Sequence, residues 1–139
     1  MAPLFVFLAA IAAQTPQAPT AGADARTDAG RAALAGNVDH LAKYVRVAVG
    51  WHVVVQCSLL SQADRSSFER DVATATKVAV GMLEAAAGSK ARALEVVMSM
   101  QQKAKRFATD RYSACGAEAA DMVSAERREA KELAGLSPA

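Results

Sequence analysis

Aromatic residues make up only 5% of this sequence, and charge of either sign is nearly balanced. Sixteen basic side chains face 14 acidic ones, for a net charge of +2. A dedicated nucleic-acid binder shows a marked basic excess, so that class is excluded. An acidic, solvating disordered chain is excluded by the same balance. Close cysteine pairs are also lacking. The two cysteines, Cys57 and Cys115, stand far apart, which excludes C-x-x-C redox chemistry, haem attachment through C-x-x-C-H, and paired zinc ligands. No later segment forms a charge-free apolar run of about 18 residues, so no spanning helix is expected.

What is present is alanine, by far the commonest residue. Alanine is the best helix former, and the 139 residues suit one domain. The N-terminus carries one short apolar run, Leu4 to Ala13, which ends in small residues and contains an A-x-A pattern at Ala10-Ile11-Ala12. It is too short to span a bilayer and reads as a secretory signal peptide over residues 1–13. Residues 14–36 follow as a flexible linker with prolines at 16 and 19, room for a short helix over 27–35, and no apolar period at its start. The bundle domain is expected over 37–135, with a tail at 136–139. In an exported chain, periplasmic or secreted, an even cysteine count predicts a Cys57–Cys115 disulfide.

Periodicity divides the domain into helices. Asn37 is a candidate N-cap for the first, over 38–60, with a stripe of Val38, Leu41, Val45, Val49, His52, Gln56 and Leu59. The alternation of Val45, Val47, Val49, Trp51, Val53 and Val55 is also a strand signal. Helix is preferred because nothing else in the chain reads as a pairing strand. Asp64 caps a second helix to Ala87, with Phe68, Val72, Ala75, Ala79, Met82 and Ala86 inward. Gly88 stops it, where a left-handed residue is wanted. Ser89 caps a third helix to Cys115, with a stripe of Ala91, Leu94, Met98, Gln101, Lys105, Ala108 and Tyr112. Gly116 precedes a charged fourth helix over 117–134, with Ala120, Val123 and Leu133 inward. Short turns make successive helices antiparallel. At 1.5 Å per residue the third helix then returns Cys115 to the height of Cys57. The fold class is therefore all-α, a small antiparallel bundle of about four helices.

Catalytic sets are missing. No serine lies in a G-x-S-x-G elbow, no glycine cluster forms a phosphate loop, and no carboxylate pair stands out. His40 falls on another side of the helix from His52, so the two cannot share a metal. Positions 48 and 56, one turn either side of His52, hold Ala and Gln, not carboxylates. No metal, cofactor or enzymatic activity is expected. Three other features bear on function. Val47, Trp51, Val54 and Val55 make a second apolar face on the first helix, which marks either a central helix or an interface with a partner or a second copy. Trp51, His52, Gln56 and Met98 are candidates to line a ligand pocket in the core. Lys103, Lys105, Arg106 and Arg111 surround Phe107 and form a candidate anion-binding face, suited to weak association with an anionic envelope surface. The leading expectation is an exported, non-catalytic interaction or structural module that self-associates. A small-ligand carrier and an envelope-surface protein are the alternatives.

Overall fold

A computed structural model describes residues 21–136. The segment read as a signal peptide, the start of the linker and the last three residues of the tail lie outside them. Four helices follow in order: α1 (Ala21–Cys57), α2 (Gln62–Ala87), α3 (Lys90–Tyr112) and α4 (Ala117–Ala134). No strand occurs among the described residues. No described helix is long and apolar enough to cross a membrane.

Local chemistry explains the stops. The Ser61 hydroxyl accepts the Asp64 backbone N–H at 3.2 Å, so Ser61, not Asp64, caps α2. Asp64 instead sits in the first turn, where its charge suits the helix dipole. Gly88 closes α2 in the left-handed region, at φ 77°, and its N–H reaches the Glu84 carbonyl. Ser89 caps α3 through the Arg92 N–H at 3.0 Å. Gly116 is the N-cap of α4. Asn37 caps nothing: α1 begins at Ala21 and runs through it, so most of the span expected as linker is helical.

Cross-helix contacts give the topology. Tyr44 meets Thr76, and Trp51 meets Phe68. Numbers rise on α1 as they fall on α2, so the pair is antiparallel. Tyr44 also meets Gln101, and Gln56 meets Ala108, so α1 and α3 run parallel. Lys43–Glu132 and Arg46–Glu129 make α1 and α4 antiparallel. α1 packs against all three other helices, and α2 also touches both α3 and α4. This central place explains the valine run of α1. Val45, Val47, Val49, Val53 and Val54 are all buried, because helices cover α1 on several sides. The alternation that resembled a strand is a helix apolar nearly all round.

The buried row of α3 differs from the one its spacing suggested. Ala93, Val97, Met100, Ala104 and Ala108 face inward, while Leu94 and Met98 are 43% and 58% exposed. Small alanines let the helix axes approach, and the larger Leu94 and Met98 are left outside. On α4 the inward row is Ala119, Val123, Glu126, Ala130 and Leu133. Cys57 and Cys115 form a disulfide with Cα atoms 5.4 Å apart. It ties the α3–α4 turn to the end of α1, and a disulfide is compatible with an oxidising compartment.

Candidate functional site: a cleft between three helices

Successive turns of α1 project Tyr44, Ala48, Trp51 and His52 toward one side, and α3 answers with Met98, Gln101, Gln102 and Lys105. Val72 of α2 completes the wall. Both rows follow the three- and four-residue spacing that stacks side chains along a helix. Between them lies an open cleft of about 330 Å³.

Its floor is held by hydrogen bonds. The Thr76 hydroxyl donates to the Val72 carbonyl at 2.8 Å. A hydroxyl has one proton, so Tyr44 Oη must donate to Thr76 Oγ1 at 3.0 Å. Gln101 Nε2 then donates to Tyr44 Oη at 2.9 Å. Burial pushes the Tyr44 phenol above its ordinary value, against the pull of those two partners, and it stays neutral. Trp51 is fixed from the α2 side. It meets Phe68 edge-to-face at 5.9 Å, and the Arg65 guanidinium lies 5.6 Å from its ring centroid.

His52 is half-buried on the opposite edge of the α1 row. Burial holds its imidazole below the usual value, the nearby Lys105 charge adds to this, and a hydrogen bond with the Gln101 backbone opposes both.

Of the pocket candidates, Trp51, His52 and Met98 therefore meet in one cleft. Gln56 does not join them: its amide donates to the Ala108 carbonyl at 2.8 Å and fastens α1 to α3. Tyr44, Val72 and Gln101 are lining residues that sequence reasoning passed over. Gln101 had been assigned only to an inward stripe, and Tyr44 sits one turn before Ala48 on the row that leads to His52.

The second apolar face of α1 is largely not available to a partner. Val47 and Val54 are 0% exposed, and by helical spacing they share a face of α1 with Lys43 and Gly50, which meet α4. Trp51 is half-buried and Val55 is exposed. The proposed interface of these four residues thus divides between core and cleft edge.

The basic residues also separate. Arg111 pairs with Glu118 at 2.6 Å. Lys103 and Lys105 stand about 200° apart around α3, with Arg106 pointing outward between them. Only Lys105 reaches the cleft.

One polar cluster lies elsewhere, between α1 and α4. Arg46 holds Glu129 in a two-point pair, with both N–O distances 3.1 Å. Glu126 is 6% exposed, and its Oε2 is buried without a hydrogen-bond partner. Burial, a hydrogen bond to Glu129 and the Glu129 charge push its carboxyl up to about 8, against the nearby Arg46. Burial would raise Glu129 too, but Arg46 and Glu126 bring it below the ordinary value. These causes favour the protonated, neutral form of Glu126 beside the Glu129 carboxylate. The spacing expected for this helix, with Ala120, Val123 and Leu133 inward, passed over Glu126: Ala120 is exposed, and Ala119 and Ala130 share the buried row with it.

Comparison of the chain with protein-family models, with curated proteins and with solved structures finds no match to any of them.

Proposed function

We propose that this chain is an exported, non-catalytic binding module that takes a small molecule into the cleft between α1, α2 and α3. The observation that carries this reading is the convergence of Trp51, His52 and Met98 on one cleft with polar groups along it. Concave sites with apolar walls and a few placed polar groups are the usual form of ligand pockets. Export is supported by the Leu4–Ala13 segment and by the disulfide. Native mass spectrometry of the protein recovered from its own source tests the reading. A monomer carrying an adduct that His52→Ala loses, with the helical spectrum intact, is the expected result. A bare mass for the wild-type protein, unchanged by ligand screens read through Trp51, would sink it.

Self-association is a second reading, favoured by one observation. Val55, Leu94 and Met98 are exposed large apolar side chains, each at or within one turn of a cleft-lining residue. If a second copy covers them, Met98→Glu converts dimer to monomer in sedimentation experiments. A wild-type chain that sediments as a monomer at high concentration rejects it.

A further inference from the structure

We propose that the molecule taken by this cleft is a small apolar anion: a compact aromatic or aliphatic group bearing one carboxylate or similar oxyanion. This rests on reading the cleft as a binding site. The anion sits at Lys105, and the apolar group lies against Trp51, Val72, Ala48 and Met98.

Charge supports the assignment first. Lys105 is the one cation in the lining, and no Asp or Glu lines the cleft. Lys43, Arg46, Arg111 and Arg127 each have a carboxylate partner. Lys105, like several other exposed cations among the described residues, has none, and it is the one of these that lines the cleft. Its charge is felt at His52, across the same cleft. An anion placed there relieves an uncompensated positive field, whereas a cation adds to it.

Donors come next. Lys105 offers only donors, and the Gln102 amide adds two N–H groups beside it. Charge-assisted hydrogen bonds from such groups are the strong ones.

Ala48, Trp51, Val72 and Met98 supply an apolar wall, and the space is small. A volume of about 330 Å³ lies at the low end of ligand pockets, which run from about 300 to 1,000 Å³. A polyanion or an extended chain would leave most of itself in water.

Trp51 is the chain's one tryptophan, so its emission reports on the cleft directly. The experiment titrates the full oxidised chain with three near-isosteric probes: phenylacetate, phenylethanol and phenethylamine. The expected result is that phenylacetate shifts the emission and binds about tenfold tighter than the alcohol, with the amine weakest. Added salt and Lys105→Met should each bring phenylacetate toward the level of the alcohol. Lys105 is exposed, so this variant keeps its fold, and circular dichroism checks that. Equal binding of acid and alcohol, unmoved by salt or by Lys105→Met, overturns the anion assignment and leaves the binding site standing. No response to any of the three probes overturns both.

Discussion

Replacing Glu126 with Gln isolates the energetic consequence of a buried acid between α1 and α4. Glu126 faces Arg46 and Gly50 of α1 and Glu129 of its own helix. In the unfolded chain its carboxyl returns to the ordinary value near 4.5, whereas in the fold it is pushed up to about 8. Between those values the folded chain holds a proton that the unfolded chain has released. Stability from this group is therefore full below the unfolded value and is lost as pH rises through about 8. One proton of difference is worth about 1.4 kcal/mol per pH unit, so over the span from 4.5 to about 8 the loss is at most on the order of 5 kcal/mol. Glu129 acts with the opposite sign. Its lowered value contributes stability above the ordinary carboxylate range and loses it on acidification, which narrows the optimum to mildly acidic pH.

A Gln amide can donate to Glu129 as the protonated acid does, and it cannot ionise. Urea denaturation with the disulfide intact, at about pH 6 and about pH 9, measures both chains. Wild type should lose stability between the two pH values by a few kcal/mol. Glu126→Gln should exceed wild type modestly at the lower pH, which already lies above the unfolded value, and by more at the higher. Equal wild-type stability at both, or the same slope in the variant, refutes the neutral-acid assignment.

Three further outcomes follow from the packing. A Cβ on Gly50 would lie 2.7 Å from Glu126 Cβ and 3.1 Å from its Cγ. Gly50→Ala should therefore destabilise by about 1–3 kcal/mol, although alanine alone would favour the helix by about 1 kcal/mol. A variant as stable as wild type in urea argues against so close an approach of α4. Cys57→Ser opens a link spanning 58 residues and should cost on the order of 4 kcal/mol, read as a lowered melting temperature. The Trp51 response to phenylacetate should survive, since neither cysteine lines the cleft. Tyr44→Phe leaves Thr76 and Gln101 without their shared partner and should cost about 1–3 kcal/mol. It should also loosen the cleft floor, and an unchanged phenylacetate affinity together with unchanged stability would contradict that role.

Much of the chain's organisation is set by local chemistry and could be read without a structure. Gly88, Ser89 and Gly116 act within a residue or two of themselves, so the ends of α2, α3 and α4 followed from them. Helical rise brought Cys57 and Cys115 to one height, because that needs only residue counts and short turns. His52, Trp51 and Met98 were recognisable as cleft candidates by type and spacing.

What tertiary packing alone decided was which row of each helix turned inward. On alanine-rich α3 several rows have the same spacing. The close approach of its neighbours selected Ala93, Ala104 and Ala108 and left Leu94 and Met98 outside. The need for glycine at position 50 appears only once α4 is placed against it. Val47 and Val54 fitted either a central helix or an interface, and only their burial in the bundle chose the former. Glu126 belongs to a charge-dense helix, and only its close approach to α1 made it a buried acid. Turn residues and helical period act over one or two turns of chain. Burial and protonation depend on surfaces contributed by other helices, and their distance of approach has no local signal.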